Sequence, residues 1–323
     1  MISKKENVLK LYRHEMPEFL PIMGEGIINN VPVSGYLERA AGGRDGYDWF
    51  GVHWMWKEGE PAPVPGPDFL LKDIADWREI VKFPDLDQFD WEQAAKKDRI
   101  LDFNRREALL YQMIHNGIFE RLHTLMGFED ALCALLTDPE EVRAFFEAMA
   151  DYKCRLIDKI AEYYRPDIIC YHDDWGTQRS LFFAPDIWRE LIKEPTRRIV
   201  EHVHSKGILF ELHSCGNIQD LIPEIVDELK VDGLNIMKLN DIPRMKRITG
   251  TKVVYNVYFD TQKLDVMESA GALTEQAVRQ SIREEIMELS EGGCYIPALL
   301  LVRPEWTEII MDEYESCREE LYK

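Results

Sequence analysis

Gly207-Ile208-Leu209-Phe210-Glu211-Leu212 runs directly into His213-Ser214-Cys215-Gly216. A short apolar run behind a glycine-terminated helix reads as a buried parallel strand, and the exit of such a strand is where α/β proteins assemble active sites. Imidazole and thiol two residues apart on that exit can both reach one metal ion, and a borderline-soft ion such as Zn²⁺ accepts both ligand types. A complete zinc site needs one or two more ligands from elsewhere in the chain. The pair also has a plain structural reading, because cysteine packs like a small hydrophobe.

Outward from this stretch the chain repeats strand and helix. Asp167-Ile168-Ile169-Cys170-Tyr171 follows Pro166 and ends in His172-Asp173-Asp174, with a helix predicted from about Pro185 to Lys206. After His213 come a helix near Gln219–Leu229, a strand over Val231–Ile236, and a short helix over Pro243–Thr249. The strand Lys252–Val257 then ends near Asp260, Glu275–Ser290 is helical, and Cys294–Val302 is the last apolar run. Alternation at this density predicts a parallel sheet and favours a closed (β/α)8 TIM barrel, with an open doubly wound sheet as the structural alternative. No Gly-x-Gly-x-x-Gly or Walker-type loop accompanies the strands, which argues against a dinucleotide or nucleoside triphosphate site.

The 323 residues, 46% hydrophobic, suit a single domain over 1–323, in which 1–100 forms an N-terminal extension and lid loop. Gly51 through Pro67 is dense in Trp, Pro and Gly, which predicts an irregular ordered segment at the barrel mouth. Its aromatics either anchor a surface excursion, or His53, Trp54 and Trp56 wall an apolar substrate pocket. A formal charge of −20 disfavours nucleic acid and anionic membrane surfaces as partners. Six cysteines without regular spacing predict reduced thiols rather than a disulfide framework. A polar Met1–Lys10 start and the lack of a long apolar run lead us to expect a cytoplasmic protein.

Carboxylates at the strand exits carry two readings. His172, Asp173 and Asp174 could do general acid or base work if burial and like-charge proximity raise a carboxyl pKa, or an Asp could brace the following loop through backbone N–H groups. Asp260 invites the same pair of readings. Glu211 alternates with Leu212, so inside a barrel it needs a partner, for which a metal or an arginine is the natural choice.

Across nearly its whole length the chain resembles the uroporphyrinogen decarboxylase superfamily, and most closely its corrinoid-dependent methyltransferase branch. The resemblance is carried by Tyr12-Arg13-His14-Glu15-Met16-Pro17, Trp49-Phe50-Gly51-Val52 and Asp173-Asp174-Trp175-Gly176-Thr177-Gln178, then by Pro185, His213-Ser214-Cys215-Gly216-Asn217-Ile218 and Asp260-Thr261-Gln262. The Arg-rich N-terminal motif with which the decarboxylases bind tetrapyrrole carboxylates is not apparent. The resemblance implies zinc held by a His-x-Cys element and a later Cys, here His213, Cys215 and Cys294, and a corrinoid (cobalamin) carried by a partner protein. Cys294, however, begins the last strand, and the exit Leu299-Leu300-Leu301-Val302 has no metal-binding side chain. Either Cys294 reaches the metal from an unusual register, or Glu211, Asp173 or His172 completes the site, or there is no metal. The expected reaction moves a methyl group from a small methylated donor to the corrinoid cobalt. The Trp-rich loop and the shortage of basic motifs favour a methoxylated aromatic donor, hence O-demethylation, over a methylamine, betaine or thiol. A metal-free decarboxylase and a non-catalytic binding protein of the same fold are the rival readings.

Overall fold

Seven parallel strands form the main sheet: β1 (Ile27–Asn30), β5 (Leu109–Ile114), β6 (Ile168–His172), β7 (Leu209–Ser214), β8 (Gly233–Met237), β9 (Val254–Tyr258) and β10 (Tyr295–Ala298), of which β6 to β10 follow the predicted alternation and β1 and β5 were not anticipated from the sequence. The structure is a computed structural model that describes residues 2–34, 36, 38–40, 44–57, 62–299 and 304–321. The strands lie side by side in chain order, β1-β5-β6-β7-β8-β9-β10, without the order reversal of a doubly wound sheet. The expected eight-stranded barrel is therefore seen, among the described residues, as a seven-stranded TIM-like sheet.

Side-chain period two divides each strand between two cores. Leu110, Ile169, Phe210, Leu212, Leu234, Ile236, Tyr255 and Val257 pack with the surrounding helices. Ile27, Leu109, Tyr111, Ile168, Cys170, Val254 and Ile296 point to the other face, where Val8, Leu11 and Tyr12 of the Lys4–Tyr12 helix join them. That face is strongly concave. Glu211 on β7 accepts hydrogen bonds from Tyr111 Oη on β5 (2.5 Å), Asn256 Nδ2 on β9 (3.1 Å) and Tyr12 Oη (3.0 Å). In a flat sheet β5 and β9 would stand about 19 Å apart, too far for both to meet one carboxylate. Only a curled sheet brings them together. At its edges, Met23 N just before β1 donates to Pro297 O on β10 at 3.1 Å. Gly233 faces Glu211 because a Cβ there would stand 2.6 Å from Glu211 Oε2.

The Trp/Pro-rich stretch is more regular than its composition predicts. β2 (Gly46–Tyr47), β3 (His53–Met55) and β4 (Val64–Pro65) form a small antiparallel sheet in that order, with Pro65 on an edge strand where its missing N–H does no harm. Residues 58–61, including Pro61, lie outside the described residues, as do Leu300, Leu301 and Val302. Among the described residues, no helix is long and apolar enough to cross a membrane.

Glu211 gives the fold a pH dependence. Burial lifts its carboxyl from 4.5 to about 7, against the lowering effect of its Tyr and Asn donors. A carboxyl held above its unfolded value stabilises the fold fully below the unfolded pKa, and that stability is lost as pH rises through the folded one. Denaturant unfolding of wild type and Glu211→Gln should show a wild-type advantage that shrinks between pH 4.5 and 7. A difference that stays flat across that range would show that Glu211 does not titrate there.

Candidate active site

In-register pairing places His172 of β6 beside His213 of β7, His213 beside Asn235 of β8, and Asn235 beside Asn256 of β9. The two imidazoles stack with centroids 4.1 Å apart and planes at 21°. Asn235 Oδ1 accepts from His213 Nδ1 (2.6 Å) and from Tyr258 Oη (2.8 Å). This fixes the His213 proton on Nδ1 and leaves the Nε2 lone pair free. Nε2 lies 3.4 Å from Cys215 Sγ and 3.5 Å from Asp174 Oδ1. Asp174 Oδ1 also accepts from Cys215 N at 2.7 Å, so the exit loops of β6 and β7 are tied together. Gly216, at φ +79, makes this approach possible, since a Cβ there would stand 2.1 Å from Gly176 O.

Ligand atoms of His172, Asp174 and His213 all lie within 4.8 Å of one another, close enough to share one metal ion. Tetrahedral zinc with ordinary bonds to nitrogen, oxygen and sulfur sets ligand-to-ligand edges of about 3.4–3.6 Å. The Nε2–Sγ and Nε2–Oδ1 separations match those edges, so the residues present fit zinc. Without a cation, burial and the nearby Asp174 carboxylate push the Cys215 thiol strongly up. A metal ion would supply the missing positive charge.

A second layer orients the first. His172 Nδ1 pairs with Glu120 Oε2 at 2.8 Å, and burial next to His213 holds its pKa well below the usual imidazole value. It is thus neutral, with its proton on Nδ1 toward the carboxylate and its other nitrogen unprotonated. Glu120 Oε1 takes Arg39 Nη2 at 3.3 Å, and the Arg39 guanidinium lies 5.1 Å over the Trp54 ring. Glu120 belongs to the Ile118–Met126 helix, whose first turn donates Glu120 N (2.9 Å) and Phe119 N (3.3 Å) to the Asp173 carboxylate. Burial first, then Glu120, raises the Asp173 carboxyl to about 8.

With this geometry the chain can be set beside known proteins. Residues 112–267 match the family described as Uroporphyrinogen decarboxylase (URO-D). That span runs from β5 to the helix beyond Asp260 and contains His172, Asp174, His213 and Cys215. Among solved structures, the chain is similar to a methyltransferase from Methanosarcina mazei, at 14% identity over 100% of both chains with a TM-score of 0.67. An aldo-keto reductase from Bacillus halodurans is a much looser likeness, at 13% identity over 81% of this chain and 88% of its own, with a TM-score of 0.38. No curated protein matches the chain. The family match covers just under half of the chain, and the first of these likenesses shows a fold that a methyltransferase shares.

The fold sorts the candidate residues. His172, Asp174, His213 and Cys215 converge. Cys294 does not: it precedes β10, at the end of the sheet opposite the β7 exit, and its Sγ faces Thr251 O (3.8 Å) just before β9. Strand polarity removes it from the cluster. Asp173 is fully buried as a brace for the neighbouring helix, and Asp260 caps the Thr261–Ser269 helix through Lys263 N at 3.2 Å. Glu211 lies lower on the concave face of the sheet, engaged by Tyr and Asn donors instead of the expected metal or arginine. His53 packs on Tyr47 with centroids 5.0 Å apart, and Trp56 N donates to Asp45 at 2.7 Å, both within the small sheet.

Trp54 corrects the expectation of a pocket wall. Its indole is 1% exposed, and Nε1 donates to Asp48 Oδ2 at 3.0 Å. Glu120, Arg39, Asn235 and Tyr258 escaped the sequence reading. The available signals were His115-Asn116-Gly117 at the exit of β5 and lone amides inside the apolar strands β8 and β9. Because Trp54 is a core residue, Trp54→Ala should cost about 3–5 kcal/mol in denaturant unfolding. Loss of less than about 1 kcal/mol, with substrate affinity impaired, would restore the pocket-wall role.

Proposed function

We propose that the protein is a zinc-dependent methyltransferase that moves a methyl group from a small methylated donor, a methoxylated aromatic, to the cobalt of a separate corrinoid protein. The observation that carries this reading is the approach of Cys215 Sγ and Asp174 Oδ1 to His213 Nε2, at 3.4 and 3.5 Å, on the exits of two adjacent strands. Three protein ligands leave a fourth position open for substrate, the arrangement of catalytic rather than structural zinc. When bound, zinc polarises the ether oxygen as a Lewis acid and stabilises the negative charge that develops there.

The chain's own residues supply the rest. Asn235 and Glu120 hold the two imidazoles in one tautomer and one orientation, and the Gly176–Gly216 contact keeps the two exit loops in register. Methyl transfer to a corrinoid cobalt would form a carbon–cobalt bond as the methyl C–O bond breaks, with that bond's electron pair left on oxygen as a phenolate, whose charge a cation held by His213, Cys215 and Asp174 would offset. Arg39 and Arg121 are engaged by Glu120 and Asp48, which leaves the decarboxylase reading without those guanidiniums as a carboxylate clamp. A thiol as methyl donor or acceptor is the second reading, favoured by Asp174 completing a ligand set able to hold a thiolate on zinc.

Elemental analysis of protein supplied with zinc should find one zinc per chain. Cys215→Ala and Asp174→Ala should lose it, while Cys294→Ala should retain it. Transfer from methoxyarenes to free cob(I)alamin should follow the zinc content. Unmodified protein that takes up no zinc, or a Cys294→Ala variant as depleted as Cys215→Ala, would overturn the assignment.

A further inference from the structure

A cavity of about 400 Å³ opens in the barrel beside the metal cluster, with Asn235 and Tyr258 in its wall. These two also hold His213, one through Nδ1 and the other with its ring 5.9 Å from the imidazole. The cavity and the cluster therefore share a wall. Met113 and Met311 supply soft apolar surface, and Tyr111 and Tyr258 supply aromatic surface. Such a lining suits a flat ring.

The polar groups in the wall define what that ring carries. Asn256 directs Nδ2 at Glu211, which leaves its Oδ1 as an acceptor, and this buried atom has no partner. Tyr314 also lines the cavity, and its buried hydroxyl has no partner either. One of these atoms lacks a donor and the other lacks an acceptor. The thioether of Met23, 3.8 Å from Asn256 Nδ2, covers the amide and is unbranched enough to swing aside. Beneath, the Glu211 carboxylate is bonded to two of the lining residues, Tyr111 and Asn256. An anionic ring substituent would meet that carboxylate and offer Asn256 no proton. A quaternary ammonium would satisfy neither unpaired atom. A neutral phenol has a hydroxyl that donates and an oxygen that accepts, and so supplies both.

We propose that this cavity selects an uncharged hydroxylated arene, of the methoxyphenol type, as the methyl donor, and that Asn256 is the residue that discriminates it from charged analogues. This rests on the methyltransferase reading for its chemistry, but its binding consequence can be measured without turnover.

The test is calorimetric titration of the full chain, zinc-loaded and zinc-free, with 2-methoxyphenol, 2-methoxybenzoate and benzyltrimethylammonium. The phenol should bind roughly tenfold or more tightly than either ion, the scale set by one unsatisfied buried polar group. Met113→Arg, which brings a cation to the wall, should raise methoxybenzoate affinity about tenfold and invert the order. Tighter binding of either ion by the wild type overturns the proposal, and that ranking decides the matter even if the variant does not fold. A folded variant whose ranking is unchanged overturns it as well. Phenol-selective binding without methyl transfer would count against the proposed function alone. Methyl transfer with a preference for benzoates would count against this inference alone.

Discussion

Arg121 is a guanidinium taken wholly out of water, and the placement of the active site depends on how it is satisfied. Nη1 donates to Asp48 Oδ2 at 2.6 Å, Nη2 to Glu38 O at 2.6 Å, and the Phe50 ring lies 4.2 Å from its centre. Asp48 in turn accepts from Phe50 N, Val52 N and Trp54 Nε1. Removing one member of a buried ion pair typically costs several kcal/mol, because the other charge is left unpaired. Glu38 and the Asp48–Trp54 segment are therefore bound to the Ile118–Met126 helix. That helix carries Glu120 to His172, and Asp173 closes the loop by holding its first turn.

The resulting electrostatics are one-sided. Carboxylates outnumber cations through the chain, yet Arg39 and Arg121 sit behind the cluster and Lys153 pairs with Glu38 in full burial. Their positive charge is already balanced by protein carboxylates. At the cluster itself, donor atoms of His213, Cys215 and Asp174 lie around one point with the His172 ring stacked beside them, an arrangement that a divalent cation would complete. The second layer of Asn235, Tyr258 and Glu120 determines which imidazole nitrogens point there.

On the concave face of the sheet, polarity rises from floor to mouth. Ile27, Leu109, Ile168 and Val254 pack around the Lys4–Tyr12 helix, Glu211 and its phenol and amide donors occupy the middle, and His172, His213 and Asn235 form the upper row. The apolar floor anchors the strands. The middle row joins floor to mouth, because Tyr111 and Asn256 bond to Glu211 and also wall the cavity above.

Local information in the chain determined the strand and helix order from residue 167 onward, and with it the placement of His172, His213 and Asp260 at carboxyl ends of strands. Period-two alternation and helix punctuation are properties of neighbouring residues, so they can be read without a structure. The same rule of strand polarity identified Cys294 as lying at the wrong end. Whether Asp173 or Asp174 faces the His172–His213 cluster could not be read locally. Both follow β6 at the same exit, and only the helix packed on one side and the β7 loop on the other make Asp173 a brace and Asp174 a ligand candidate. The Trp-rich segment shows the same limit, since its composition suited either an anchor or a pocket wall. Burial of Trp54 against Asp48 depends on Arg121, 73 residues along the chain from Asp48, and that ion pair exists only once the chain has folded.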